Sequence, residues 1–138
     1  MTPEQIALVQ ASFQRVVLIK DQLGRAFYQE LFRIAPQVRP IFPADMAAQE
    51  AKLTDALIYV VDNLTRPDVI EETLVPLALR HLDYGAQPAH FAAVGMALMT
   101  ALRQTAPGGI TPQESNAWMA AYSAMADMMV AEFPAKRA

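Results

Sequence analysis

The chain has 138 residues, which is enough for one domain and leaves little room for a second. Because 54% of the residues are hydrophobic and 18% are charged, the composition excludes a disordered chain. The formal net charge of −3 offers no overall attraction to nucleic acid or to an anionic membrane. The sequence contains no cysteine, which excludes disulfides, thiolate metal sites, iron–sulfur clusters and any cofactor attached through a thioether.

The N-terminus has none of the marks of a secretory signal. No basic region there precedes an apolar run and a small-residue cleavage site. The sequence also lacks about 18 consecutive apolar residues, the length that a membrane-spanning helix requires. We therefore expect a cytoplasmic protein with no membrane partner and no nucleic-acid partner.

Apolar residues recur at three- and four-residue spacing along almost the whole chain, which predicts helices. Thr2-Pro3-Glu4-Gln5 has the spacing of a capping box and begins a first helix that ends near Lys20. A second helix is predicted over residues 21–35. Pro36 and Pro40 then permit only a short helical turn, because proline does not continue inside a long regular helix.

Two further helices are predicted in the middle of the chain. One is a long amphipathic helix over residues 45–64, and the next restarts the chain at Arg66-Pro67. Pro76 lies within this second segment, so the helix should be bent or split there. It ends at Tyr84-Gly85, where the glycine suits a left-handed C-terminal cap.

The last third of the chain predicts two more helices. One begins near Pro88 and is broken at Pro107-Gly108-Gly109, and the other begins at Thr111-Pro112-Gln113-Glu114, a second capping-box spacing. The sequence as a whole predicts one all-α domain over residues 1–134, with a frayed tail at 135–138. Six to eight helices of unequal length favour steep crossings around an enclosed space over a symmetric four-helix bundle.

His81 is the residue best placed to carry chemistry. It falls on the same helical face as Leu74 and Leu77, so its ring should point inward and needs a hydrogen-bond partner. Two interpretations stay open on these grounds: a core histidine bonded to a backbone carbonyl, or a single axial ligand to a haem iron. A zinc site is disfavoured, because His90 is the only other histidine and lies nine residues away across a glycine and a proline.

Five segments, in order, carry a resemblance to a known family. The chain resembles bacterial single-domain haemoglobins, which are related to the globin domain of flavohaemoglobins, over nearly its whole length. The resemblance implies a globin fold around a non-covalent haem b. The segments are Phe27-Tyr28-Gln29-Glu30-Leu31-Phe32, Pro36-Gln37-Val38-Arg39-Pro40-Ile41-Phe42, Gln49 through Leu53, Arg80-His81-Leu82-Asp83-Tyr84-Gly85, and Trp118-Met119-Ala120-Ala121-Tyr122.

The resemblance also implies roles for individual residues. His81 corresponds to the proximal ligand of the iron, and Tyr28 and Gln49 correspond to the distal pair. Phe42 would wedge against the haem, and Leu53 would cover the iron from the distal side. The two distal groups can both donate hydrogen bonds to a gas ligand that acquires negative character on the iron.

The remaining expected haem contacts lie around the edge of the pocket and on its proximal side. Lys52 and Arg80 either reach the haem propionates or are solvated surface cations. The other expected contacts are Leu77, Tyr84, Phe91 and Val94.

Phe91 departs from the family pattern. Flavohaemoglobins commonly carry a tyrosine there, whose hydroxyl acts with a late glutamate on the proximal imidazole. Phe91 has no hydroxyl, so we expect the ring N–H of His81 to bond a backbone carbonyl one turn earlier, such as that of Leu77. The resulting weaker electron donation argues against peroxidase-type cleavage of an O–O bond.

These features favour reversible binding of oxygen, nitric oxide or carbon monoxide over catalysis. One alternative is a nitric oxide dioxygenase that depends on a separate reductase, since 138 residues leave no room for a flavin- or nicotinamide-binding domain. A haem-based electron carrier and a helical sensing or assembly module without haem are the other two. The distribution of apolar residues leaves room for a homodimer through the last two helices.

Overall fold

The computed structural model describes residues 1–83 and 89–137, with the backbone alone at 82–83 and 132–137. Within those ranges the chain is helical and contains no strand, as predicted. Two short 3-10 segments, Val17–Ile19 and Pro36–Ile41, connect the first three α-helices. The α-helices are α1 (Pro3–Val16), α2 (Lys20–Ile34), α3 (Ala47–Asp62), α4 (Pro67–Asp83), α5 (His90–Thr105) and α6 (Pro112–Arg137).

Both predicted capping boxes are present. The Thr2 hydroxyl accepts from the Gln5 amide at 3.1 Å, and the Gln5 side chain accepts from the Thr2 amide at 2.9 Å. Thr111 and Glu114 make the same reciprocal pair at the start of α6, at 3.1 and 3.0 Å. Each box satisfies two amide groups that the first turn of a helix leaves without partners, which is why these helices begin where they do.

Arg15 ties the end of α1 to the start of α6. Its guanidinium donates to both carboxylate oxygens of Glu114 at 3.1 Å and to the carbonyl of Gly109 at 3.2 Å. The hydrogen bond from Arg15 lowers the pKa of Glu114, with a further contribution from the Thr111 amide. The carboxylate thus stays charged and serves the cap and the ion pair together.

The core lies where α1 and α2 pack against the two last helices. α1 packs on α6 and α2 packs on α5, while α3 lies across α2. The buried indole N–H of Trp118 donates to the hydroxyl of Ser12 at 2.8 Å, so the one polar atom of this ring has its partner. Gly24 allows α2 and α3 to approach closely, since a Cβ atom there would lie 3.2 Å from Cβ of Glu50.

Two features differ from the sequence-based expectation. The first helix ends at Val16 and not at Lys20, because the 3-10 segment Val17–Ile19 intervenes. α4 runs through Pro76 without a break, so of the two predicted consequences the split is absent and the bend stays a prediction. Pro76 and Glu72 are both exposed, so water can bond the Glu72 carbonyl that lacks an amide donor.

The predicted cap at Gly85 and the expected contact Tyr84 lie outside the described residues. The backbone of 135–137 continues α6, and the frayed tail at 135–138 stays a prediction. Among the helices as far as they are described, none combines the length and the apolar character needed to cross a membrane.

Candidate functional site

His81 lies in the last turn of α4 and is tied to the backbone of its own helix. Its Nδ1 atom lies 2.7 Å from the carbonyl oxygen of Leu77, which confirms the predicted hydrogen bond. A carbonyl can only accept, so Nδ1 carries a proton, and in the neutral imidazole Nε2 is then the nitrogen with the free lone pair. This is the arrangement in which a histidine can coordinate a metal, with the other ring nitrogen fixing its orientation.

The first turn of α5 lies beside this imidazole. The ring of Phe91 has its centroid 6.2 Å from that of His81, with 32° between the two planes. The carbonyl of Phe91 accepts a hydrogen bond of 2.6 Å from the hydroxyl of Tyr122 on α6. The sequence did not predict this hydrogen bond.

Tyr28 and Gln49 come together from different helices. The Gln49 amide on α3 donates to the Tyr28 hydroxyl oxygen on α2 at 3.1 Å. Because the phenol oxygen accepts this bond, it keeps its own O–H to donate to a second partner. Burial raises the pKa of Tyr28, and the hydrogen bond from Gln49 opposes that effect only in part. The phenol therefore stays protonated and acts as a donor at neutral pH.

Phe42 follows the 3-10 segment Pro36–Ile41 and joins an aromatic cluster with Tyr28. Its ring centroid lies 5.5 Å from that of Tyr28, in an edge-to-face arrangement, and 5.5 Å from that of Phe32. Such pairs contribute about 0.5–1.5 kcal/mol beyond the area that they bury. The corner is thereby positioned relative to the same tyrosine that Gln49 contacts.

Arg39 holds this corner together, a role that the sequence did not predict. Its guanidinium donates to the carbonyls of Phe42, Pro43 and Ala44 at 3.0–3.3 Å. The same group lies over the ring of Phe32, 5.0 Å from the centroid. An arginine before a proline is the only signal in the sequence, and it does not say which carbonyls the side chain reaches.

If Phe42 contacts haem, as the resemblance implies, substitution Arg39→Ala is expected to loosen the corner and speed the loss of that haem. Since the guanidinium is partly exposed, we expect its bonds to contribute about 1–2 kcal/mol, or roughly 5- to 30-fold in the rate. Transfer of haem to an excess of a haem-free acceptor protein measures that rate. Arg33→Ala is the matched control, because the exposed Arg33 pairs with Glu30 on its own helix. Equal rates in the two variants would contradict the role of Arg39.

The apolar residues predicted to contact haem share one property. Each packs against the core yet keeps part of its surface uncovered. Side chains of this kind can accept a flat apolar group on the side that the protein leaves open. They are Phe42, Leu53, Leu77, Phe91 and Val94. The cations Lys52 and Arg80 are exposed, and neither forms an ion pair with another described residue.

The helices that carry the two halves of the candidate site are packed on different neighbours. α3, which carries Gln49, packs on α2 and α1, whereas α4, which carries His81, packs on α6. In the described part of the chain α3 and α4 make no extensive contact with each other. No group of three or more His, Asp or Glu side chains gathers among those residues either. A lone histidine suits an iron that a macrocycle already holds, so these residues fit haem.

The chain is similar to known proteins in both sequence and structure. A family model described as Globin matches residues 25–129. Over 133 residues, 94% of the chain, the sequence is 27% identical to a flavohemoprotein of Deinococcus radiodurans and 26% identical to one of Bordetella pertussis. The match covers 33% of each of those proteins, so the chain spans about one third of the length of these curated relatives.

A solved bacterial globin from Campylobacter jejuni has the same helical arrangement. Its TM-score is 0.83 with 22% sequence identity, and the superposition covers 94% of both chains. At this identity the likeness establishes the fold alone, and it confirms the predicted one.

Proposed function

This chain belongs to the globin family, and from that premise we propose that it holds haem b through His81 and reversibly binds oxygen or another diatomic gas. Membership of the family implies haem binding and supports the binding of gases in general. The proposal adds the residues, the type of haem and the preference for oxygen. The observation that carries it is the hydrogen bond from Gln49 to the buried Tyr28, because the phenol oxygen accepts this bond and its own O–H is left to donate to a gas ligand.

His81 is the proposed proximal ligand. Its proton on Nδ1 is directed to the Leu77 carbonyl, so Nε2 is the atom that would coordinate the iron. Haem, when bound, would supply an iron that can bind a small gas. Because the chain has no cysteine, the haem cannot be attached through thioether bonds, which supports haem b.

Tyr28 and Gln49 are the proposed donors to the gas. The Tyr28 hydroxyl, having accepted from Gln49, directs its proton toward a ligand that carries negative character. A hydrogen bond to a charged partner contributes roughly 1.5–3 kcal/mol, or about 10- to 100-fold in affinity. Carbon monoxide acquires less negative charge than oxygen, so this pair favours oxygen.

The half-buried apolar residues Phe42, Leu53, Leu77, Phe91 and Val94 would contact the faces and edges of the ring. Their uncovered surface on an otherwise packed core supports this assignment. The exposed cations Lys52 and Arg80 would reach the two propionates. Tyr84 completes the proposed set on the strength of the family resemblance.

The proximal side favours reversible binding over cleavage of an O–O bond. The partner of the His81 N–H is a neutral carbonyl, and no carboxylate accepts this proton among the described contacts. A neutral acceptor draws the proton away less strongly than a carboxylate does, so the imidazole would donate less electron density to the iron. Phe91 adds no hydroxyl to strengthen that donation.

Repeated oxygenation of the purified ferrous protein tests the proposal. We expect an oxygenated spectrum that returns to the deoxygenated one each time oxygen is removed. Immediate conversion to the ferric form in the first cycle would contradict reversible binding. A low-spin spectrum without any added ligand would instead support the electron carrier.

Conversion of nitric oxide to nitrate is the second candidate. It is favoured by the similarity to flavohemoproteins, whose name pairs a flavin with haem. One nitric oxide and one oxygen give one nitrate when a single electron is supplied, and that electron would come from a reductase outside these residues. Many nitrates per haem with a flavin reductase and reduced nicotinamide would support this activity. Nitrate formation that stops after one turnover would reject it.

A further inference from the structure

Tyr122 carries a hydroxyl that the proposed function does not use. The side chain projects from α6 and donates to the carbonyl of Phe91 at 2.6 Å. This carbonyl lies in the first turn of α5. The hydroxyl therefore ties the beginning of α5 to α6.

Gly95, one turn further along α5, leaves space for the ring of Tyr122 because it has no side chain. A Cβ atom at Gly95 would lie 2.8 Å from Cε2 and 3.1 Å from Cδ2 of Tyr122, closer than real contacts of this kind. The missing side chain lets the ring lie against the helix, so that its hydroxyl reaches back to Phe91. Burial raises the pKa of Tyr122, which keeps the hydroxyl protonated and able to donate.

Phe91 passes this restraint on to the imidazole. Its ring lies 6.2 Å from that of His81 and is tilted by 32° from it. The hydrogen bond to Leu77 fixes the Nδ1 side of His81 within α4. The ring of Phe91 belongs to α5. It restricts how far the imidazole can rotate while its hydrogen bond to Leu77 is kept. Two elements therefore determine its orientation.

We propose that Tyr122 is a positioning residue for the axial ligand: by fixing the start of α5 it fixes Phe91, and through Phe91 it sets the rotation of the His81 ring. The inference rests on the proposed function, because it concerns the residue proposed to hold the iron. It adds a way for α6 to influence the orientation of the His81 ring in a chain where residue 91 has no hydroxyl.

The test is Tyr122→Phe, which removes the hydroxyl and keeps the ring against Gly95. In the ferrous protein without a gas ligand, resonance Raman spectroscopy records the iron–histidine stretching band. We expect this band to shift and broaden in the variant, since the imidazole would sample more rotations. Tyr59→Phe, at an exposed tyrosine of α3, is the matched control and should leave the band unchanged.

Gly95→Ala provides a second test that keeps the hydroxyl. The added methyl group must displace the Tyr122 ring, so the band should change as it does in Tyr122→Phe. In the combined variant the effects should be less than additive, because both substitutions break one connection. An unchanged band in both single variants, even with a lowered melting temperature, would overturn the inference. Absence of the band from the unmodified protein would instead contradict the proposed function.

Discussion

The variant His81→Ala is expected to lose the axial protein ligand of the iron. Removing a group that only orients a metal ligand costs 10- to 100-fold in metal affinity, so removing the ligand itself should weaken haem binding by roughly 100-fold or more. Haem titration of the purified variant measures this loss. Any haem that the variant still binds should show no iron–histidine stretching band.

His90→Gln is the matched control, because it changes the only other histidine in the chain. This variant should bind haem as the unmodified protein does. In His81→Gly, added imidazole should enter the vacated space and restore a spectrum close to that of the unmodified protein. If His81→Ala kept both its haem affinity and its iron–histidine band, the ligand assignment would be wrong.

The variant Tyr28→Phe is expected to release oxygen faster by roughly 10- to 100-fold, the value of one hydrogen bond to a charged partner. The substitution keeps the ring that packs edge-to-face on Phe42, so the effect isolates the hydroxyl. Flash photolysis and stopped-flow mixing give the rate constants. Release of carbon monoxide should change much less and serves as the internal control.

Gln49 should modify that result, because it donates to the oxygen that Tyr28→Phe removes. Once released, its amide can donate to the gas itself and compensate in part. We therefore expect Gln49→Leu to have a larger effect in the Tyr28→Phe background than in the unmodified protein. Equal oxygen release in all four proteins of this cycle would show that neither residue stabilises the ligand.

Local chemistry made much of the fold predictable. The capping boxes at Thr2 and Thr111 begin helices in the structure as the sequence predicts, since their hydrogen bonds join residues three positions apart. The consequence of Pro76 could not be predicted, because it depends on whether tertiary packing leaves the Glu72 carbonyl exposed. The 3-10 segment Val17–Ile19 likewise has no signal in the spacing of apolar residues.

In the candidate site, the contact within one helix was predictable from the sequence and the contacts between helices were not. The bond from His81 to Leu77 follows from their four-residue separation on one helix. Tyr28 and Gln49 are 21 positions apart on two helices, so only the family resemblance pointed to that pair. The reach of Tyr122 to Phe91 depends on the crossing of α5 and α6, which no local pattern encodes. The cytoplasmic location and the roles of the haem contacts stay predictions, and the homodimer stays an arrangement for which the apolar residues leave room.

The most direct measurement is the absorption spectrum of the ferrous protein, recorded without oxygen before and after carbon monoxide is added. If one imidazole holds the iron and the other axial position is open, the first spectrum will be that of a five-coordinate, high-spin haem. Carbon monoxide will then convert it fully to a six-coordinate, low-spin form. Failure to take up haem, or a low-spin spectrum before the gas is added, would contradict the account.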